Sequence, residues 1–132
     1  MRISFFFTNF AANYKLGRLA TFMAKILVVD DERAIRNTLK DILEFEGYTI
    51  DLAENGKVGL EKALATTYDL IYTDIKMPEM DGLEMLQAYR QAVKENGTEE
   101  SPVVMISGHG TVETAVDALK NGAFDFIVKP LD

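Results

Sequence analysis

The chain of 132 residues contains no cysteine and a single histidine, and its first 22 residues contain no aspartate or glutamate. Without cysteine there can be no disulfide framework, thiolate nucleophile or thiolate metal site. That absence is compatible with a reducing cytosol. No apolar stretch approaches the ~20 residues that a membrane span requires. Internal repeats and low-complexity segments are also missing. What remains is 48% apolar residues, enough for a single domain with its own core.

The missing acids divide the chain. Residues 1–22 carry Arg2, Lys15 and Arg18 against no acid, within a net charge of −7. The rest therefore holds eleven basic and twenty-one acidic residues, a net of −10. So acidic a body repels nucleic acid phosphate, which argues against direct DNA binding by this segment. Met23-Ala24-Lys25-Ile26 makes a natural domain start. Residues 1–22 read as an extension or an upstream-start artefact. Arg2 before Ile3–Phe7 gives a faint signal-peptide pattern, but Thr8 and Asn9 interrupt it early.

From Lys25 onward, short apolar runs alternate with helical periods. Lys25–Asp30 reads as a strand buried on both faces. A helix follows with Ile35, Leu39, Ile42 and Leu43 on one face, stopped by Gly47. Tyr48–Ala53 is a more alternating strand, as expected at an edge. Asn55 is placed to cap a helix that turns Leu60, Ala63 and Leu64 inward. Asp69–Asp74 is the third strand. Asp81 and Glu84 have capping-box spacing and open a helix through Leu83, Leu86 and Val93. After a polar loop at Glu95–Ser101, Pro102–Ser107 forms the fourth strand. Thr111 starts a helix with Val112, Ala115, Val116 and Leu119 on one side, and Asn121-Gly122 ends it. Phe124–Val128 is the fifth strand. This alternation predicts an α/β fold with a parallel sheet and right-handed crossovers.

The polar residues cluster by position. Asp30-Asp31, Asp74, Ser107 and Lys129-Pro130 all stand at carboxyl ends of predicted strands, where open α/β sheets bind ligands. Three carboxylates that close repel one another, and a hard divalent cation removes the conflict. Oxygen donors without Cys or His point to Mg²⁺ or Mn²⁺. Lys129 offers a compact positive charge for a phosphate oxygen, and Ser107 a hydroxyl donor. The set suits in-line phosphoryl transfer to a carboxylate, with Asp74 the best acceptor.

VVDDE (Val28–Glu32), YTDIKMPEMDG (Tyr72–Gly82), MISGHG (Met105–Gly110) and FIVKP (Phe126–Pro130) occur in this order. Over Lys25–Asp132 the chain thereby resembles the receiver domain of bacterial two-component response regulators. The resemblance implies a flavodoxin-like, doubly wound sheet in the strand order 2-1-3-4-5. It implies phosphorylation of Asp74 by a sensor histidine kinase in a Mg²⁺-dependent reaction. Asp31 would ligate the metal directly, Asp30 mainly through water, and Asp74 and the Lys76 backbone carbonyl would complete the protein ligands. Ser107 would be the switch hydroxyl, Lys129 the phosphate contact and Phe126 the switch aromatic.

The stretch GTVETAVDALKNGAFDFIVKPLD is most similar to receivers of the nitrogen-regulation type, which usually precede an ATPase domain and a helix-turn-helix. On this reading the protein is a cytoplasmic signalling switch that controls an output domain, with transcription the expected output. It is no enzyme beyond self-catalysed phosphorylation and dephosphorylation. Residues 23–132 would be a receiver domain ending before its fifth helix, on a face the family uses for output and dimerisation, so a homodimer is open. Losing that helix would uncover about four core side chains at ~1.5–3 kcal/mol each, against a total stability of ~5–15 kcal/mol. Ile3, Phe7, Phe10 and Tyr14, at helical spacing, are candidates to cover them.

Blander readings stand beside these. Asp31 could merely cap the first helix, and Asp81 reads as a cap alone. Phe126 could be an ordinary core aromatic, and Met77, Met80 and Met85 read as packing. His109 and Lys76 could tune phosphate lifetime or simply be solvated. Flavin mononucleotide is disfavoured because Asp30-Asp31-Glu32 stands where a phosphate loop would be. An aspartyl phosphatase would carry a second Asp two residues after its nucleophile, and Lys76 is there instead. A phosphorylation-independent interaction module is the third alternative.

Overall fold

The computed structural model describes residues 24–108 and 112–129. Predictions on residues 1–22, His109, Thr111 and Pro130 lie outside them. Five strands, β1 (Lys25–Val29), β2 (Thr49–Ala53), β3 (Leu70–Asp74), β4 (Val103–Ser107) and β5 (Asp125–Val128), alternate with four helices. These are α1 (Arg33–Phe45), α2 (Gly56–Ala65), α3 (Gly82–Asn96) and α4 (Val112–Lys120). All pairings are parallel, in the order β2-β1-β3-β4-β5. The predicted doubly wound fold is the observed one.

Strand alternation splits the core into two layers. Leu27, Val29, Ile71, Val103 and Met105 face one side, with Ala63 of α2, Met85, Leu86, Tyr89 and Val93 of α3 and Ala118 of α4. Ile26, Val28, Leu70, Tyr72, Val104 and Ile106 face the other, where α1 contributes Leu39 and Leu43. Because both faces are covered, β1, β3 and β4 read as continuous apolar runs. β2 is the edge strand, with Ile50 and Ala53 buried, Asp51 and Leu52 half-buried and Thr49 exposed.

The helix signals hold at their starts. Asn55 Oδ1 accepts from the Val58 amide at 2.8 Å. Asp81 and Glu84 form a reciprocal capping box at 2.8 and 3.1 Å. α3 runs on to Asn96, two residues into the predicted loop, and Gly97 ends it in the left-handed region at φ 65°.

Two inward stripes are corrected. Ala63 is buried and Leu60 half-buried against the core as predicted, but Leu64 is exposed, and Gly56 and Gly59 complete the buried face of α2. On α4, Val112, Val116 and Leu119 face outward, while Ala118 is buried and Thr114 and Ala115 are half-buried. Small side chains let these helices lie close to their neighbours: at Gly59, an added Cβ would come within 2.8 Å of Val29. Close approach, rather than side-chain size, decides which stripe turns in.

Candidate functional site

The parallel order brings the carboxyl ends of β1, β3, β4 and β5 to one edge of the sheet. Asp30 follows β1, its amide donating to the Ala53 carbonyl at 3.1 Å. Its Oδ1 accepts from the Glu32 amide at 2.8 Å, a local turn that lifts the chain into α1. Arg36 Nη1 donates to the Asp30 carbonyl at 2.7 Å. α1 has Glu32 at its N-cap with no side-chain cap bond, so Asp31 is not used as a cap and its side chain is exposed.

Asp74 ends β3 and is 5% exposed. Its Oδ1 accepts from the Ile75 amide at 2.9 Å. The loop beyond it is anchored twice: Ile75 N donates to Ile106 O at 3.1 Å, and Gly82 N to Ile75 O at 2.7 Å. Between them Glu79 has φ 68°, and Met80 N donates to Pro78 O at 2.7 Å, a strained three-residue turn. Lys76 is exposed in this loop.

Carboxylate oxygens of Asp30, Asp31 and Asp74 lie within 4.8 Å of one another. Lys129 Nζ reaches Asp30 Oδ2 at 3.2 Å, Asp74 Oδ2 at 3.5 Å and Glu32 Oε1 at 3.9 Å. Lys129 is placed by its own amide, which donates to Ser107 O at 2.9 Å. Ser107 is buried at the end of β4. Phe126 is half-buried and packs on the layer beneath α3 and α4, beside its β4 neighbour Met105. The structure thus brings the side chains of Asp30, Asp31, Asp74 and Lys129 together, with Ser107 joined to Lys129 through the backbone.

Electrostatics mark Asp74 within this set. Burial, and next the Asp30 charge, push its carboxyl up to about 6, against the opposing pull of Lys129. Asp30 is also raised by burial, though Glu32 N–H and Lys129 oppose it. Burial alone would lower the Lys129 pKa, yet Asp30 and Asp74 hold it above its ordinary value. Three acids against one lysine leave an excess of negative charge that a hard cation would neutralise, and all the donors are oxygens.

A pH dependence follows. The unfolded chain protonates Asp74 near 3.8, the folded chain near 6, so between these values the folded state binds more protons. The stabilising contribution of this group is therefore full below 3.8 and lost as pH rises through about 6. Metal-free protein should lose ~1–2 kcal/mol across that window, after discounting for solvent screening. Urea midpoints in chelator should show this fall in wild type and a flatter profile in Asp74→Asn; parallel profiles would contradict it.

The sequence reading missed Gly82, Arg36 and Glu32. A Cβ at Gly82 would collide with the Asp74 carbonyl oxygen and come within 3.0 Å of Ile75 Cα. Gly82→Ala is therefore expected to destabilise by ~2–3 kcal/mol and to displace the Asp74 loop. Thermal unfolding checks it, and a shift matching that of an exposed Gly97→Ala control would contradict it. Only the Asp-Gly pair hinted at the role of Gly82. Arg36, lying within α1, gave no signal.

Residues 26–132 match the family model described as Response regulator receiver domain. Response regulator ArlR of Staphylococcus saprophyticus is 40% identical over 110 residues, covering 83% of this chain and 47% of that protein. Nitrogen assimilation regulatory protein NtrX of Azorhizobium caulinodans is 44% identical over 109 residues, covering 81% of this chain and 23% of that protein. The chain thus spans less than half the length of these curated relatives. Among solved structures, chemotaxis protein CheY4 of Vibrio cholerae aligns with a TM-score of 0.74 at 33% identity, over 83% of this chain and 89% of that one. Response regulator TrrA of Thermotoga maritima, in complex with Mg²⁺–BeF, aligns with a TM-score of 0.71 at 35% identity, over 83% and 90%. The chain belongs to the response regulator receiver domain family, the phosphoacceptor switches of two-component systems.

Proposed function

We propose that Asp74 is the phosphoacceptor of this receiver domain and that a sensor histidine kinase is its donor. One observation carries the reading: a buried, strand-terminal carboxylate lies 3.5 Å from Lys129, among acids that gather within 4.8 Å. In the reaction an Asp74 oxygen attacks phosphorus in line. The donor's P–N bond breaks, its electron pair returns to the imidazole nitrogen, and an acyl phosphate forms. Lys129 neutralises charge on the transferred oxygens. Water later cleaves the acyl phosphate, releasing inorganic phosphate and restoring the carboxylate, so the domain's only catalysis is on itself.

Asp30, Asp31, Asp74 and the Lys76 carbonyl would hold Mg²⁺, with Mn²⁺ a substitute. When bound, the ion supplies charge neutralisation and orients phosphoryl oxygens. The complex of TrrA with Mg²⁺–BeF supports this, since beryllium fluoride imitates a phosphoryl group. Ser107 would follow the new phosphoryl group and Phe126 would turn inward, shifting populations between two states. The outward-facing Val112, Val116 and Leu119 would then present an altered surface to an output domain or a second receiver.

No helix among the described residues is long and apolar enough to cross a membrane, which is consistent with the proposed cytoplasmic setting. The test uses a labelled phosphohistidine domain as donor. Label should pass to the chain only with divalent metal, and transfer that persists in excess chelator would contradict the proposed site.

A further inference from the structure

Asp31 is the least secured member of the acidic set. Its carboxylate comes within 4.8 Å of those of Asp30 and Asp74, yet the residue is exposed. Among the described residues no hydrogen bond or ion pair holds that carboxylate. Asp30 differs, with Oδ1 taken by the Glu32 amide at 2.8 Å and Oδ2 by Lys129 at 3.2 Å. The place of Asp31 in the site is therefore set by its backbone.

That backbone is tied on both sides. After Asp31, the Glu32 amide is bound to the Asp30 side chain. Before it, the Asp30 carbonyl accepts from Arg36 Nη1 at 2.7 Å. Asp30 is 1% exposed, so its carbonyl needs a donor from the protein. The ladder with β2 uses the Asp30 amide, which donates to Ala53 O, and the first bond of α1 runs from the Arg36 amide to Glu32 O. Arg36 fills the gap from inside the helix, through a charge-assisted bond.

We propose that Arg36 is a positioning residue for the divalent cation, anchoring the peptide between Asp30 and Asp31 so that the Asp31 carboxylate meets the ion. This role rests on the reading of Asp30, Asp31 and Asp74 as the metal site. Rotation about the Asp30 Cα–C bond would turn the carbonyl and swing Asp31 with it, and the Arg36 bond opposes that rotation. A role through charge has the opposite sign. A guanidinium near a cation site repels the cation, so removing its charge alone would tighten metal binding. Removing an anchor loosens it. Partners that orient metal ligands are typically worth about 10–100-fold in affinity, and one acting on a single ligand belongs at the lower end.

Mn²⁺ alone is the probe, and the fall of its free-ion paramagnetic resonance signal gives the dissociation constant without any phosphoryl transfer. Wild type, Arg36→Met and Arg36→Lys are titrated as full chains at neutral pH. Methionine matches arginine in helix propensity and leaves buried Leu39 and Leu43 in place, so α1 is kept. Arg36→Met should bind Mn²⁺ ~10-fold more weakly and need ~10-fold more Mg²⁺ for half-maximal phosphorylation by acetyl phosphate. Arg36→Lys, which retains a donor of similar reach, should recover most of the affinity. Equal or tighter binding by Arg36→Met would overturn the role while leaving the metal site standing. A lysine variant no better than the methionine one would do the same. Wild type that takes up no Mn²⁺ would overturn the metal site and this role together.

Discussion

Asp74→Asn is expected to move chemistry and stability in opposite directions. Phosphoryl uptake should fall by at least ~100-fold, because the amide cannot form an acyl phosphate. Metal-free stability at neutral pH should rise by ~1–2 kcal/mol. The substitution removes one charge from a set in which burial and Asp30 already push the Asp74 carboxyl up to about 6. An amide Oδ1 can still accept from the Ile75 amide, so the loop anchor is kept. Chemical denaturation in chelator, with and without excess Mg²⁺, measures the second effect. The gain should shrink or reverse when metal is present, because wild type then binds the ion that the variant has partly lost. A variant less stable than wild type in chelator would mean that the carboxylates are not in conflict.

Lys129→Met should weaken both properties. The ammonium is the cation nearest the Asp30 and Asp74 carboxylates among the described residues, at 3.2 and 3.5 Å. Without it two buried carboxylates face each other, and stability in chelator should fall by ~2 kcal/mol. That is less than the ~3–5 kcal/mol typical of a broken buried pair, because Asp74 can take up a proton instead. Excess Mg²⁺ should restore most of the stability. It should not restore the rate, which loses an oriented positive charge on the transferred oxygens and falls by ~100-fold or more. Thermal melts and phosphorylation time courses on the same samples separate the two. Recovery of both with metal would show that Lys129 serves only to balance charge.

The site was legible in the sequence because parallel topology converts a local fact into a spatial one. Asp30, Asp74, Ser107 and Lys129 each follow an apolar run, and parallel strands put all their carboxyl ends on one edge. Asn55 and the Asp81–Glu84 pair could be read because capping is local. The inward phase of α2 and α4 could not. Periodicity finds a stripe of Val112, Val116 and Leu119, but Ala118 turns inward, because close backbone approach favours the smaller residue. Gly82 shows the same limit: its collision with the Asp74 carbonyl involves a backbone atom, which carries no sequence signature. Arg36 is recognisable only once α1 is set against the Asp30 turn.

The most direct measurement is the mass and position of the adduct after incubation with acetyl phosphate and Mg²⁺. The account predicts a single acid-labile phosphoryl group, mapped by fragmentation to Asp74 after trapping of the acyl phosphate, absent in chelator and absent in Asp74→Asn. An adduct that persists in Asp74→Asn, or that maps to another residue in wild type, would contradict it.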